Sequence, residues 1–362
     1  MTHPTTSETP LLVADPPDAQ GPRTIRAKAP LRISFAGGGT DVAPFPAREG
    51  GLVLNATIDR YAYGSLQERE DGAITLHSLD LDIARHFGTD DDLQLNGELD
   101  LVKAAIRRLA GGRPERGFDL ILSTSAPPGS GLGSSSSMMV CLVGVLSRFL
   151  DQQLDAYETA SLAWQIERKD LGLRGGLQDQ YASVFGGFNF IEFDAERTIV
   201  NPLRIPEEVV DELEASLLLC FTGETRTSDR VIDDQTARYE AGEAETLAGL
   251  RAQKRLVPEM KDALLRGHLV RFGELLGDAW EAKRRMSPQI SSAFIDSAFE
   301  AARGAGAVGG KVTGAGGGGF VLFAAPFHRR HLVAEALAEI GAEVQEFAFD
   351  RRGIRTWMPS AR

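Results

Sequence analysis

From residue 24 onward the apolar positions recur at strand and helix spacings. Residues 24–27 and 29–35 alternate as a strand does, and residues 51–58, 61–67 and 73–77 read as further strands. Residues 99–109 carry a helical period that ends at Gly111-Gly112, and residues 118–123 return to strand. Residues 134–150 are apolar nearly all round, which predicts a buried helix. Two further helices, 157–169 and 178–185, flank a glycine-rich bend at 172–176, and residues 188–193 form a strand. A polar, proline-containing stretch at 201–211 marks a domain boundary. Beyond it, residues 215–221 read as strand, and 240–265, 268–276 and 291–303 as helices. Residues 310–323 read as a strand pair around a glycine turn, 329–340 as a helix and 343–349 as a closing strand. Strands and helices alternate irregularly, which predicts an α+β architecture rather than a doubly wound parallel sheet.

Residues 1–22 lack this periodicity. They are rich in Pro, Thr and Asp and predict a mobile tail. The body then divides into an N-terminal domain, 23–205, and a C-terminal domain, 206–362. A chain of 362 residues fits two domains, since single cores stop growing near ~250–300 residues. Apolar residues make up 43% and charged residues 25%, which excludes a fibrous or largely disordered chain.

Charge narrows the partners. Against 51 Asp and Glu stand 39 Lys and Arg, a formal net charge of −12, which argues against nucleic acid. The longest apolar run, 138–146, is far short of the ~20 residues a membrane helix needs. The first residues lack a basic-then-apolar signal pattern. Cys141 and Cys220 both lie in apolar runs, as buried inert thiols do, and a reducing cytoplasm fits them. The six histidines offer no convincing metal-ligand spacing, so no zinc site is expected.

The strongest chemical signal is APPGSGLGSSSS at 126–137, between a strand and the buried helix. Glycines let a ligand approach the backbone, and the free N–H groups and dipole of the helix start favour an anion. No lysine follows, so it is not a Walker A loop, and the GxGxG spacing is a poor dinucleotide fingerprint. A phosphate cradle explains three spaced glycines and four serines better than a simple capping turn does. In KVTGAGGGGF, 311–320, five glycines fall within six positions, where a hairpin turn needs one or two. They read as a backbone wall against a ligand, with tight packing a partial alternative. In PLRISFAGGGTD, 30–41, Asp41 at a loop tip suits sugar hydroxyls, although Thr40-Asp41 alone equally suits a helix cap. In IERKDLGLRGGLQDQY, 166–181, the bend brings Glu167 and Asp179 within reach of one site. Together with phosphate oxygens such carboxylates suit Mg²⁺, or one of them takes a proton from an attacking hydroxyl. Each alone is more often a solvated charge or a cap.

Three of these motifs, in this order, resemble those of the GHMP kinase superfamily: 30–41, 127–137 and 311–320. The segments GLQDQYASVFGGFNF, 176–190, and WEAKRRMS, 280–287, together with AGGGTD, are similar to the branch acting on D-glycero-D-manno-heptose 7-phosphate. Kinases of L-fucose share much of this pattern. Galactokinases carry Glu-His where this chain has glycines before Thr40-Asp41, which disfavours galactose.

The resemblance implies a two-domain α+β fold, an N-terminal domain like the second domain of ribosomal protein S5 and a ferredoxin-like C-terminal domain, with the active site between them. It further implies that Pro128, Gly129, Ser130, Gly131, Leu132, Gly133, Ser134, Ser135 and Ser136 hold ATP. Ser135 and Glu167 would hold Mg²⁺. Asp179 would activate the acceptor hydroxyl, and Arg32 would stabilise charge on the transferring phosphoryl group. Gly38, Gly39, Thr40 and Asp41 would line the sugar, and Gly316, Gly317 and Gly318 the transferred phosphate. The expected reaction is transfer of the ATP γ-phosphoryl to the anomeric C1 hydroxyl of the heptose 7-phosphate, giving the 1,7-bisphosphate. The 7-phosphate needs cations, for which Lys283 is the first candidate and Arg174 and Arg226 the next. Lys283 equally reads as the basic end of a helix. The rivals are a C1 kinase of a free sugar such as L-fucose and a non-catalytic sugar and ATP sensor. The sensor is disfavoured because Ser135, Glu167 and Asp179 are all present. The oligomeric state, a homo-oligomer included, is left open.

Overall fold

The computed structural model describes residues 22–127, 129–224 and 228–360. The expected N-terminal tail therefore lies outside the described residues, apart from Pro22. Along the chain run β1 (Thr24–Ala36), α1 (Phe45–Glu49), β2 (Gly51–Arg69), β3 (Ile74–Ser78), β4 (Ile83–Phe87), α2 (Asp100–Ala110) and β5 (Gly117–Thr124). Then come α3 (Ser134–Phe149), α4 (Ala156–Gln165), α5 (Gln178–Phe185), β6 (Phe188–Phe193), β7 (Thr198–Pro202), α6 (Glu207–Ser216) and β8 (Leu217–Phe221). The remainder is α7 (Ser228–Glu240), α8 (Ala244–Leu265), α9 (Leu269–Arg284), α10 (Ala293–Ala305), β9 (Gly309–Val312), β10 (Phe320–Ala324), α11 (Arg330–Glu339), β11 (Glu343–Gln345) and β12 (Arg355–Trp357).

The first sheet has the order β12-β1-β2-β5-β3-β4, with β6 pairing both β2 and β7. Among the described residues only β3 and β5 pair in parallel. The two expected strands 51–58 and 61–67 are one 19-residue strand, whose first half pairs β6 and second half β5. Likewise 24–27 and 29–35 are one strand, with a register shift between Pro30 and Arg32. The apolar helix α3 lies in the core of this half, with Met139, Val140, Leu142, Val143 and Val145 fully buried.

The second sheet, β11-β8-β10-β9, is antiparallel. It is buried on both faces, which is why β8 and β10 are apolar without alternation. Leu217, Leu219, Phe320 and Leu322 pack with Phe272 and Leu275 of α9, while Leu218, Cys220, Val321 and Phe323 pack with Ile295 and Ala298 of α10. The first of these clusters also contains Leu31, Ile33 and Phe35 of β1 and Leu54, Ala56 and Ile58 of β2. One apolar core therefore joins the two sheets.

Several elements differ from the sequence reading. The helix expected at 240–265 is broken at Gly242, whose φ of 73° ends α7 and lets α8 begin afresh. The strand expected from 215 starts at Leu217, because the polar stretch before it folds as α6. The helix expected at 157–169 ends as a π-helical turn, Ile166–Asp170. Nothing in the local pattern signalled α1, β4, β7, α7 or β12. The last of these pairs with β1, so the chain's end returns to the first sheet rather than staying in the expected C-terminal unit. Both cysteines are free and buried.

Candidate active site

A cavity of about 410 Å³ opens where β1, the 129–133 loop, the starts of α3 and α5, the 173–176 bend, α7, α9 and the 313–315 loop converge. The α3 N-terminus gives it a place suited to an anion. Gly129, Gly131 and Gly133 have φ of 76°, 83° and 76°, a left-handed region that only glycine adopts without strain. They turn the chain so that Ser134, Ser135 and Ser136 open α3 against the cavity, and no side chain caps the helix. The first-turn N–H groups are left for an anion.

Arg32 of β1 and Asp179 of α5 meet across this space. Arg32 Nε donates to Asp179 Oδ1 at 2.7 Å, and its guanidinium also donates to the carbonyl of Gly131 at 2.7 Å and, more weakly, to that of Thr313 at 3.3 Å. The pair ties the Asp179 carboxylate to the 129–133 loop. Glu167, fully buried, lies one layer behind: its Oε1 accepts from Ser135 Oγ at 3.0 Å and its Oε2 from Gln180 Nε2 at 2.5 Å. The π-helical turn that carries it is a feature often found at functional sites.

Another part of the cavity is built around Asp41. This buried carboxylate accepts from the backbone N–H of Gly39 at 3.0 Å and of Gln178 at 3.1 Å. Burial pushes its carboxyl above the usual range and the Asp179 charge adds to the push, against those N–H donors. Gly176 is required beside it, since a β-carbon there would come within 1.9 Å of Asp41 Oδ2. Lys283 of α9 is 3% exposed and lines the cavity, and among the described residues its ammonium has no hydrogen-bond partner. Burial lowers its ammonium to about 8, Asp41 opposing and Arg32 adding to the shift. Lys311 of β9 donates to the carbonyls of Ser34 at 3.0 Å and Val312 at 2.9 Å. Burial holds it well below the ordinary lysine range, with Lys283 the next cause.

Of the sequence-predicted residues, Arg32, Gly38, Gly39, Asp41, Gly129, Gly131, Gly133, Ser134, Ser135, Ser136, Arg174, Asp179 and Lys283 come together in the lining. Ser130 is fully buried behind the loop, and Leu132 is in the core, its carbonyl accepting from the Arg32 N–H. Pro128 and Arg226 lie outside the described residues. Two expectations are corrected. Thr40 turns away from the cavity, its Oγ1 2.8 Å from the carbonyl oxygens of Gly37 and Leu52, because the 37–40 turn must be tied to β2. Gly316, Gly317 and Gly318 do not wall the cavity; Thr313, Gly314 and Ala315 do. A β-carbon on Gly316 would meet the backbone of Ile290 at 2.7 Å, and one on Gly318 that of Glu224 at 3.0 Å, so these glycines serve close backbone packing.

Sequence reading missed Ser34, Arg168, Gln178 and Gln235 in the lining, and Lys311 as a side chain. Ser34, Arg168, Gln178 and Lys311 sat inside motifs read for their glycines and acids. Gln235 lies on α7, which carried no motif.

The description "GHMP kinases N terminal domain" matches residues 100–187, and "GHMP kinases C terminal" matches residues 260–343. The chain is 37% identical over 338 residues to a D-glycero-alpha-D-manno-heptose 7-phosphate kinase of Campylobacter jejuni, covering 92% of this chain and 99% of that protein. It is 28% identical over 326 residues to a bifunctional fucokinase/GDP-fucose pyrophosphorylase of Arabidopsis thaliana, covering 84% of this chain and 30% of that protein. The crystal structure of a D-glycero-D-manno-heptose 1-phosphate kinase from Bacteroides thetaiotaomicron aligns with a TM-score of 0.78 at 37% identity, over 93% of this chain and 100% of that one. With this likeness over nearly its whole length, the chain belongs to the GHMP kinases. Within that family it is an ATP-dependent sugar kinase. Among the described residues no helix is long and apolar enough to cross a membrane.

Proposed function

We propose that this kinase transfers the γ-phosphoryl group of Mg·ATP to the anomeric C1 hydroxyl of D-glycero-D-manno-heptose 7-phosphate, giving ADP and the 1,7-bisphosphate. The observation that carries the reading is Lys283, a buried residue whose ammonium has no hydrogen-bond partner among the described residues. A phosphorylated acceptor would supply both acceptor oxygens and a compensating charge, whereas a neutral sugar would supply hydroxyl acceptors alone. The likeness to the Campylobacter jejuni enzyme supports the same choice.

In this reading the 129–133 loop and the α3 N-terminus hold the ATP phosphates. Asp179 accepts the proton of the attacking hydroxyl, and Arg32 holds Asp179 in position while bearing on the transferring phosphoryl group. Lys283 takes the acceptor's phosphate, and Arg174 stands at the rim, where it pairs with Asp233 at 2.8 Å.

The residues present suit Mg²⁺. Among the described residues no group of three or more His, Cys, Asp or Glu could hold a metal alone. A single carboxylate and a hydroxyl beside a phosphate site are the donor set Mg²⁺ takes when phosphate oxygens and waters complete its shell. Glu167 is fully buried, with the Arg168 guanidinium 3.9 Å away, and a further cation at Ser135 would complete its compensation. When bound, the ion neutralises charge on the phosphates. Glu167→Gln is expected to raise the Mg²⁺ concentration for half-maximal rate about tenfold or more. An unchanged Mg²⁺ titration removes Glu167 from the ligand set.

The test of the function is ADP release with Mg·ATP against D-glycero-D-manno-heptose 7-phosphate, sedoheptulose 7-phosphate, mannose 6-phosphate, mannose, L-fucose and galactose. Turnover confined to the heptose phosphate is expected. Preference for a free sugar overturns the phosphate role of Lys283.

A further inference from the structure

The hollow above Gly38 and Gly39 is lined, beside the Met286 methyl, by polar side chains whose hydrogen-bonding groups are largely unpaired among the described residues. From the point a β-carbon would occupy on Gly38, Ser34 Oγ lies 3.5 Å away, Gln178 Nε2 3.7 Å and Lys283 Nζ 3.9 Å. From the equivalent point on Gly39, Gln235 Nε2 lies 3.2 Å and Oε1 3.3 Å away. These four side chains come from β1, α5, α7 and α9. Each is more than nine-tenths buried, and all four line the cavity.

Their hydrogen-bonding capacity is largely unused. Ser34 Oγ and Gln178 Oε1 have no partner. No hydrogen bond reaches the Gln235 amide or Lys283 Nζ from any described residue. Only Gln178 Nε2 is engaged, donating to Asp41 at 3.2 Å. Leaving a buried polar group unpaired costs about 1–3 kcal/mol, and native proteins seldom leave several together. Four in one hollow point to a ligand that pairs them. Three of the four are neutral groups that both donate and accept, as a sugar hydroxyl does, so hydroxyls are their natural complement.

We propose that Gln235, together with Ser34 and Gln178, reads the hydroxyl pattern of the acceptor sugar and so sets which stereoisomer is phosphorylated. Gly38 and Gly39 keep the first-motif loop bare, and the reading side chains reach in from the surrounding elements. Gln235 is the decisive member because it comes from the second half of the chain, opposite the strand that carries Ser34. The inference rests on the acceptor entering this cavity as proposed above, but not on its being a heptose phosphate.

The test is Gln235→Ala, assayed on whichever sugar the wild-type enzyme turns over fastest, and on that sugar's monodeoxy analogues and epimers. The acceptor KM is expected to rise about tenfold, as loss of one buried hydrogen bond implies. The ATP KM at saturating acceptor should stay within twofold. One deoxy analogue, already poor for the wild type, should be used equally well by both proteins, because it lacks the hydroxyl that Gln235 contacts. Gln235→Glu, of the same size, covers the case in which the alanine variant does not fold, and should alter the rank order of the epimers. An unchanged acceptor KM, or an equal loss for every analogue, overturns the proposal. If the fastest acceptor is a free sugar, the heptose phosphate reading fails while this test proceeds on that sugar.

Discussion

Asp179→Asn is expected to lower kcat by about 10²–10⁴-fold, the range a positioned general base contributes, with the KM values for ATP and acceptor little changed. The substitution keeps the shape of the side chain and the oxygen that accepts from Arg32 Nε at 2.7 Å. It removes the capacity to take a proton and, with it, the negative charge that faces the buried Arg32. Breaking such a pair costs stability, so the melting temperature should fall by a few degrees with the protein still folded at the assay temperature, which separates lost chemistry from lost fold. Asp179 is well placed for the role: it stands in the first turn of α5, lines the cavity, and lies beside Gly133. A β-carbon on Gly133 would come within 3.3 Å of its carboxylate. Near-full turnover with normal KM values would assign catalysis to positioning and electrostatics alone, since phosphoryl transfer through a loose transition state asks little of a base.

Lys283→Ala carries the second large effect. A buried, charge-assisted contact to phosphate is worth ~1.5–3 kcal/mol, so kcat/KM for a phosphorylated acceptor should fall about 10–150-fold while the ATP KM holds. Equal losses for both substrates would undo the assignment. The pH profile gives an independent check. Burial has brought the Lys283 ammonium down to about 8; Asp41 favours its charged form, whereas Arg32 opposes it. Lys311, also buried, is held well below the ordinary lysine range by its burial and then by the Lys283 charge. Lys283 is thus charged below about 8 and neutral above. The acceptor kcat/KM of the free enzyme should decline as pH rises through that value. Lys283→Arg should carry the plateau further into alkali, because a guanidinium does not lose its proton there. Lys283→Ala should abolish this limb of the profile.

The geometry was legible in the sequence wherever one short segment determines it. The turn-and-helix start at 129–136 is a local device: glycines in the left-handed region followed by a helix need no distant partner to present N–H groups. The same holds for the longer strands β1, β2 and β5 and for the buried helix α3, whose periods come from the neighbours each residue has along the chain. The glycine run 314–319 was harder to read. Its composition signals close approach, but not to what, and the structure shows backbone on the far side of Gly316 and Gly318 where a ligand was expected.

What the sequence by itself determined is the α+β class, the family's motif order and the residue types able to handle phosphate. Local periodicity and backbone sterics act over a few residues, and a linear pattern records them. Only the tertiary structure decided that Arg32 meets Asp179, 147 residues away, that Lys283 stands unpaired near Asp41, and that Gln235 faces Gly39. It also decided that β12 returns to β1 and that one apolar core joins both sheets. Each of these is a long-range juxtaposition, set by which apolar faces bury one another, and burial is what gives the lysines and Asp41 their altered acidity.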